Sequence, residues 1–388
     1  MGRKNKFKTA GCAVNQNGIP IAKWIYLLHQ MIFIVSCVFG FIHLGITLFL
    51  ALAFRRYQSG ASRKPNSISV VIAARNEEFN LKQLVPLLLE QDFVDFEIII
   101  ALDRCTDLSK AYLESLNNPK IKIIEIQTVD VNWNPKKFAL NEAITKTKGD
   151  WLVFTDADCA PATKNWLNSI SHHMIDHKNI IIGISPYRVN GSLLSNFIRF
   201  ESFMTAFMYI SRALRGKPYM AVGRNMAVRK SFFKNSGGYE AIKSIVGGDD
   251  DLFIQRNATK DNTQVMLGVD NLVFTMPHTN WKAYWNQKIR HLSVGANYKF
   301  SDQLFLGFSH ISHLLFLVMI IFSAAHSFFF PMLLFYLFIK LVSYRFAAGK
   351  MGININYILL PLVDILYAVL IPVIALWSKL EKDIKWKN

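Results

Sequence analysis

The sequence predicts an α/β domain enclosed between membrane-spanning helices. Two observations carry this prediction: long apolar segments occupy both ends of the chain, and short β-branched runs alternate with helical patterns between them. Such alternation is typical of a mostly parallel sheet that is covered on both faces. The 388 residues suffice for two or three structural units, at roughly 150 residues each.

The composition excludes several classes of protein. Hydrophobic residues make up 52% and charged residues 18% of the chain, which is too apolar for a disordered or an ordinary soluble protein. The net charge of +17 favours anionic partners such as phospholipid headgroups or nucleotide diphosphates. We expect no nucleic-acid partner, because no helix-turn-helix, RNP or zinc-finger pattern accompanies the charge. The four cysteines form no C-x-x-C pair, which favours a reducing compartment over a disulfide scaffold.

Hydropathy divides the chain into five segments. They are a basic N-terminal segment (1–23), a membrane anchor (24–54), the α/β domain (67–300), a membrane region of two or three helices (304–377) and a basic amphipathic tail (378–388). A span needs about 20 apolar residues, so the anchor crosses a bilayer once. Asp364 is the lone acid within the last apolar stretch, Ile353–Trp377, and we expect it to make a satisfied buried contact. Basic residues flank the anchor almost equally, so the positive-inside rule does not choose an orientation.

Five strands and three helices are predicted early in the domain. The strands are Ile68–Ala73, Phe96–Leu102, Ile121–Ile126, Trp151–Thr155 and Ile180–Ile184, and the helices are Leu81–Leu89, Lys137–Thr147 and Asn165–His177. Ligands of parallel sheets bind beyond the carboxyl ends of the strands. The polar residues that follow each strand are therefore the candidate site.

Asp156 and Asp158 directly follow the fourth strand. Two carboxylates at this spacing can converge on Mg²⁺ or Mn²⁺, since hard cations prefer carboxylate and phosphate oxygens. The alternative is a solvated turn, because D-x-D is common by chance. The position at a strand end favours the metal site.

The first two strands also end in polar residues. Arg75 follows the first strand, where it either meets a phosphate or belongs to a capped helix start. Asp103 closes the second strand and can accept hydrogen bonds from a base or a ribose, while Asp107 is a candidate N-cap for the next helix.

A run of three carboxylates, Asp249, Asp250 and Asp251, opens a short helix. Helix capping does not need three acids, and their mutual repulsion destabilises the chain unless a cation or a catalytic role compensates. A crowded member of the run can have a raised pKa, which suits a general base. The alternative is favourable placement of acids at a helix N-terminus.

Two further motifs lie later in the domain. Gln287 and Arg290 share one helical face, from which Arg290 can clamp a diphosphate, although a basic helix lying on the membrane explains the same pattern. Gly223 and Asn225 follow a long helical stretch, Ser192–Arg215, which is either an interfacial helix near an acceptor or a plain core helix.

Taken in order, these elements resemble the membrane-bound family 2 glycosyltransferases (GT2), whose nucleotide-sugar domain has the GT-A fold. The resemblance covers about Ser67 to Tyr298. It rests on Ser69–Glu78, Asp103, Lys137-x-Ala139-Leu140-Asn141, Gly149-Asp150, Asp156-x-Asp158, Gly223-x-Asn225-x-Ala227, Gly237-Gly238, Asp249–Asp251 and Gln287-x-x-Arg290. Each motif is weak alone, but their joint order and spacing are specific.

The resemblance implies a role for each residue. Ala74, Arg75, Glu77 and Asp103 would line the nucleoside pocket, with Lys137 near the phosphates. Asp156 and Asp158 would hold Mg²⁺ or Mn²⁺, and Gln287 and Arg290 would close over the diphosphate. Asp249 or Asp250 would be the base that deprotonates an acceptor hydroxyl, with inversion at the anomeric carbon, and Gly223 and Asn225 would lie on the acceptor side.

Three departures from the family pattern bear on function. Gly248 precedes three aspartates where the family has Glu-Asp, Arg104 replaces a small residue after Asp103, and His291 stands where processive synthases carry Trp. The leading hypothesis is therefore a single-addition transferase acting on a lipid or lipid-linked acceptor, among membrane lipids. Its domain would face the cytoplasm from the plasma or inner membrane. The alternatives are a processive polysaccharide synthase and an inactive scaffold of the same fold.

Overall fold

The computed structural model describes residues 21–60, 67–324 and 326–381. Most of the basic N-terminal segment and of the amphipathic tail lie outside the described residues. The described part begins with one long helix, continues through an α/β domain and ends in three long helices.

Within the described residues, nine strands form two sheets. They are β1 (Ile68–Ala74), β2 (Phe96–Asp103), β3 (Ile121–Ile126), β4 (Trp151–Phe154), β5 (Cys159–Pro161), β6 (Ile180–Ile182), β7 (Met226–Arg229), β8 (Thr263–Val265) and β9 (Val273–Thr275). Seven of them form the main sheet in the order β3-β2-β1-β4-β7-β6-β8, and β5 pairs with β9 in an antiparallel ribbon. Only β7 runs against the other strands of the main sheet. The first two strands end side by side, with Ala74 opposite Leu102.

Twelve α-helices accompany the strands in the described residues. They are α1 (Ile21–Ala53), α2 (Glu78–Leu89), α3 (Ser109–Ser115), α4 (Pro135–Thr145), α5 (Trp166–Ser171), α6 (Leu193–Leu214), α7 (Lys230–Asn235), α8 (Asp251–Asn257), α9 (Trp281–Val294), α10 (Phe300–Phe322), α11 (Phe329–Met351) and α12 (Leu360–Leu380). The five predicted strands are all present, whereas β5, β7, β8 and β9 were not predicted.

Apolar side chains cover both faces of the sheet. Alternate residues of β1 point to opposite sides: Val70 and Ile72 pack under α2 and α5, while Val71 packs towards α4 and α6. This is the two-sided burial expected of a mainly parallel sheet. Helix α6 is largely buried, so it belongs to the core, although some of its side chains also line the cavity described below.

Four helices, α1, α10, α11 and α12, are long and apolar enough to cross a membrane. Helix α10 ends before Ser323, and α11 begins at Phe329. The third predicted C-terminal segment began at Ile353, but α12 begins at Leu360. Ile353 and Ile355 are buried in the core ahead of the helix, which explains their apolar character.

All four of these helices contribute ionisable side chains to a buried polar cluster. The Lys340 ammonium of α11 lies 2.6 and 2.8 Å from the Asp364 carboxylate of α12. His313 of α10 lies 3.1 Å from the same carboxylate, and its ring stacks on that of His43 from α1 at 4.3 Å between centroids. Asp364 therefore makes the satisfied buried contact expected from the sequence.

Candidate active site

A cavity of about 820 Å³ lies at the carboxyl ends of β1 and β4 and extends to α10 and α12. Its polar end is lined by Glu77, Lys136, Asp156, Asp158, Asp249 and Asp250. Its other end is lined by apolar residues of the long helices, namely Leu306, Ile311, Leu314, Ile371 and Leu376. One continuous space thus joins clustered carboxylates to helices that can cross a membrane.

Asp156 and Asp158 lie in the turn after β4, as the sequence predicts. Ligand atoms of these two residues and of Cys159 lie within 4.8 Å of one another. Desolvation, followed by the charge of Asp156, raises the pKa of Asp158. A cation held between the two carboxylates would relieve this repulsion, and their oxygens are the donors that Mg²⁺ and Mn²⁺ prefer. The residues therefore fit a hard divalent cation, for which the buried Cys159 thiol is a poorer ligand.

Lys136 connects the two acidic motifs. Its ammonium lies 3.0 Å from Asp156 Oδ1 and 3.1 Å from Asp249 Oδ2. Burial alone would lower the pKa of Lys136, but the charges of Asp156 and Asp249 hold it well above its usual value. Lys136 therefore carries a fixed positive charge at the centre of the cavity.

Lys137, which was predicted to lie near the phosphates, does not line the cavity. Its ammonium donates to the carbonyls of Ile245 and Gly247, 2.5 Å from each oxygen, and fixes the loop that leads to the three aspartates. Burial lowers the pKa of Lys137 to about 8. The residue one position earlier, Lys136, lines the cavity instead.

Asp249 and Asp250 differ in their surroundings although they are adjacent. Burial alone would raise the pKa of Asp249, but the nearby lysines, Lys136 first, hold it below its usual value. Asp250 accepts hydrogen bonds from the backbone N–H of Gly223 at 2.5 Å and of Asp251 at 2.8 Å. Burial and the charge of Asp249 nevertheless raise the pKa of Asp250 to about 6. Of the two carboxylates left open by the sequence, Asp250 has the pKa that suits a general base near neutral pH.

Asp251 is the most strongly perturbed of the three aspartates. Burial and the charge of Asp250 raise its pKa well above the usual range, and the Tyr298 hydroxyl donates to its Oδ2 at 2.6 Å. The raised pKa favours the protonated form of Asp251, which lines the cavity beside Asp250.

The residues predicted for a nucleoside pocket lie around the ends of β1 and β2. Glu77 lines the cavity, whereas Ala74, Arg75 and Asp103 lie beside it, outside its wall. Ala74 and Asp103 are buried, and Arg75 is half-buried in the turn after β1. Asp103 is held by its neighbour Arg104 through two contacts of 2.7 and 3.1 Å. Asp107 accepts from the backbone N–H of Ser109 at 3.1 Å, but Leu108, and not Asp107, holds the N-cap position of α3.

Gln287 and Arg290 of α9 both line the cavity, as their shared helical face predicts. Burial lowers the pKa of Arg290, although the charges of Asp249 and Asp156 oppose this effect. The same helix places Lys288 in the cavity, where its ammonium lies 2.6 Å from Glu201 Oε2. Helix α9 therefore provides cationic groups opposite the carboxylates.

Gly223 and Asn225 have different surroundings. The backbone of Gly223 faces Asp250, and a Cβ added there would lie 3.2 Å from Asp250 Oδ2. Asn225 is buried away from the cavity, where it accepts from the Trp166 indole and donates to the carbonyls of Ile184 and Asn271. Asn225 therefore ties β7 to its surroundings, whereas Gly223 permits close approach to the aspartates.

Comparison with known proteins finds a similarity for part of the domain. Residues 69–237 match the sequence profile of Glycosyl transferase family 2. This part of the chain is similar to the family 2 glycosyltransferases. A search of curated proteins finds no significant match.

Solved structures with the GT-A fold resemble the chain at low sequence identity. The mannosyltransferase PcManGT from Pyrobaculum calidifontis, in complex with GDP-Man and Mn²⁺, has a TM-score of 0.61 at 14% identity and covers 90% of this chain and 99% of its own. TarS from S. aureus in complex with UDP-GlcNAc aligns at 14% identity over 81% of this chain and 92% of its own, with a TM-score of 0.42. The first similarity shows that this chain and the mannosyltransferase share the GT-A fold over nearly the whole length of both.

Two cationic residues of the cavity are not predicted from the sequence. Lys136 is the neighbour of the predicted Lys137. Arg224 lies between Gly223 and Asn225 and lines the cavity, where its Nε donates to Ser185 Oγ at 2.7 Å. Burial alone would lower the pKa of Arg224, but nearby acidic groups hold it above its usual value. Nothing in a single sequence distinguishes such an arginine from a surface residue.

Proposed function

We propose that the protein is a membrane-bound inverting glycosyltransferase, which transfers a sugar from a nucleotide-diphosphate sugar to a hydroxyl of a lipid or lipid-linked acceptor. The observation that carries this proposal is the cavity, because it joins the clustered carboxylates to apolar residues of α10 and α12. A soluble acceptor would not require that second, apolar end.

The reaction is a single displacement. Asp250 takes the proton of the acceptor hydroxyl while the acceptor oxygen forms a bond to the anomeric carbon. The bond between that carbon and the diphosphate breaks on the opposite side, so the configuration inverts and a nucleoside diphosphate leaves. The raised pKa of Asp250 supports this assignment, because a carboxylate with a pKa of about 6 binds a proton more readily than an ordinary aspartate.

Cationic groups would hold the donor's diphosphate. Lys136, Arg224 and Arg290 line the same end of the cavity as the carboxylates, and Gln287 lies beside them. When bound by Asp156 and Asp158, Mg²⁺ or Mn²⁺ would neutralise charge on the leaving diphosphate. The structure of the similar mannosyltransferase contains GDP-Man and Mn²⁺, which agrees with this donor chemistry.

The acceptor would enter from the membrane. Lys379 near the end of α12 lines the cavity together with the apolar residues of α10 and α12, so an anionic headgroup can be held where the chain of a lipid meets apolar walls. We place the protein in the plasma or inner membrane, with the family 2 domain facing the cytoplasm, since that side supplies nucleotide sugars.

The proposal is tested by expressing the full chain in membranes and measuring nucleoside-diphosphate release over a panel of nucleotide sugars. Each donor is assayed with Mn²⁺, Mg²⁺ or EDTA, and with a total lipid extract as the acceptor. We expect cation-dependent release with one donor and a glycosylated lipid of one added sugar. Asp158→Ala should abolish release, whereas Asp261→Ala, an exposed aspartate outside the cavity, should not.

Other outcomes have defined meanings. Products of many sugar units would favour the polysaccharide synthase over the single-addition enzyme. Release that is equal with and without EDTA would contradict the metal assignment. Absence of release and of product with every donor, in a chain that is folded and inserted, would favour the inactive scaffold.

A further inference from the structure

The salt bridge between Arg104 and Asp103 changes the chemistry at the edge of the sheet. Asp103 is fully buried at the end of β2, and both of its carboxylate oxygens contact Arg104, at 2.7 Å from Nε and 3.1 Å from Nη2. This is the bidentate arrangement in which arginine binds carboxylates most strongly. Both oxygens that a lone aspartate would offer to a ligand therefore already accept a hydrogen bond from Arg104.

The backbone of Arg104 adopts an uncommon conformation to make this contact. Its φ is +47°, in the left-handed region that side chains other than glycine and asparagine rarely adopt. Its N–H extends the sheet by donating to the Ile126 carbonyl at 2.9 Å. A strained residue at the ligand-binding edge of a sheet points to a functional role.

Neighbouring contacts hold this conformation rigid. Asn76, in the turn after β1, also has a positive φ of 53°, and its Oδ1 accepts from the Thr106 N–H at 2.8 Å. Asp107 accepts from the Glu78 N–H at 2.9 Å. The turns after β1 and β2 are thus bonded to each other directly after Arg104, which restrains its guanidinium before any ligand arrives.

The guanidinium that remains accessible can only donate hydrogen bonds. Arginine has five N–H groups, of which the bidentate contact uses two, and 36% of the Arg104 side chain is exposed. A base that meets this group with the edge remote from its ribose must present adjacent acceptors on that edge. Guanine offers O6 and N7 together there, whereas adenine and cytosine place an amino group there and uracil offers a single carbonyl. The adjacent acceptors of cytosine, N3 and O2, lie on the side next to the ribose.

We propose that Arg104 is a specificity-determining residue that selects a guanine nucleotide as the sugar donor. This inference rests on the proposed function, because it assumes that a nucleotide sugar binds at this edge of the sheet. It adds the identity of the base, which no motif of the sequence encodes.

The test measures binding of GDP, UDP, ADP and CDP to the purified full chain in detergent micelles with Mn²⁺, and uses pyrophosphate as a probe without a base. We expect GDP to bind at least about tenfold more tightly than the others, as one good bidentate contact to guanine provides. Arg104→Ala should remove this preference and leave pyrophosphate affinity unchanged, which also shows that the variant is folded. Arg104→Lys should weaken the preference, because an ammonium lacks the planar fork.

Lys110→Ala is the matched control, since it removes one exposed positive charge from α3 without touching Asp103. It should leave the preference for GDP intact. Preference for another base, or an unchanged preference in Arg104→Ala, would overturn the inference while the proposed function stands. Failure of all four nucleotides and of pyrophosphate to bind would overturn the proposed function and this inference with it.

Discussion

Replacement of Asp250 by Asn tests the assignment of the general base most directly. Asp250 has a pKa of about 6, which burial and the charge of Asp249 raise from the ordinary value of 3.8. Only the ionised carboxylate can accept the acceptor's proton. At pH 7 about nine-tenths of the molecules would have Asp250 ionised and at pH 5 about one-tenth, as follows from a pKa of about 6.

The expected result is a rate of transfer that falls as the pH is lowered through about 6, approaching tenfold per pH unit below it. A bound divalent cation adds positive charge to the cavity and would move this limb to lower pH. Asp250→Asn should reduce kcat by about 10²- to 10⁴-fold and abolish the limb, because the amide cannot act as a base.

The assay follows product formation at saturating donor and Mn²⁺ between pH 4.5 and 8.5, chosen to bracket the pKa of about 6. Asp261→Asn provides the control, since it makes the same chemical change at an exposed position outside the cavity. A pH limb that persists in Asp250→Asn, or a loss of less than about tenfold, would refute the assignment.

The raised pKa of Asp250 also makes the stability of the folded protein depend on pH. The folded-state pKa of Asp250 lies above its unfolded value, so protonation favours the folded state. The contribution is therefore fully present below pH 3.8 and is lost as the pH rises through about 6. Asp250 thus opposes folding at the pH where it is needed as a base, which is the behaviour expected of a functional group and not of a structural one.

Three further substitutions follow from the geometry. Lys136→Met should reduce kcat at least about tenfold and change the pH dependence, because Asp156 and Asp249 lose the cation between them; steady-state rates at several Mn²⁺ concentrations check this, and wild-type rates at every concentration would contradict it. Gly223→Ala should lower kcat with little change in melting temperature, since its Cβ would press on the Asp250 carboxylate at 3.2 Å; an equal loss of stability would point to a folding defect instead. Lys340→Met should destabilise the protein by about 3–5 kcal/mol, because the Asp364 charge stays buried without the ammonium. The double variant Lys340→Met with Asp364→Leu should recover most of the lost stability. Thermal unfolding in detergent measures both variants, and equal losses in the two would refute the pairing.

The sequence predicts the regular parts of this fold because burial dictates their residue types. Every residue of β1 is buried, and its run of β-branched residues is what a strand covered on both faces requires. The same logic locates the long apolar helices. It misses β5, β7, β8 and β9, which have three or four residues each. The equally short β4 and β6 are predicted because all of their residues are bulky and apolar.

The candidate site is predictable in outline for a different reason. Acidic residues that follow strands, such as Asp156, are conspicuous because nothing in the core requires them. What distinguishes Lys136 from Lys137 is the phase of α4, which directs one ammonium to the carboxylates and the other to the carbonyls of Ile245 and Gly247. Adjacent lysines in a sequence carry no information about that phase.

Hydropathy does not predict how the long apolar helices pack against the α/β domain. Tyr344 of α11 meets the rings of Phe200, Phe203 and Phe207 of α6 edge-on, at 5.5 to 6.1 Å between centroids. Residues of α1, α11 and α12 belong to the same buried cluster as the strands that carry the carboxylates. Since α10 and α12 also line the cavity, the long apolar helices contribute to the candidate site as well as being able to cross a membrane. They complete the core beneath the site and form the wall along which a lipid acceptor would reach Asp250.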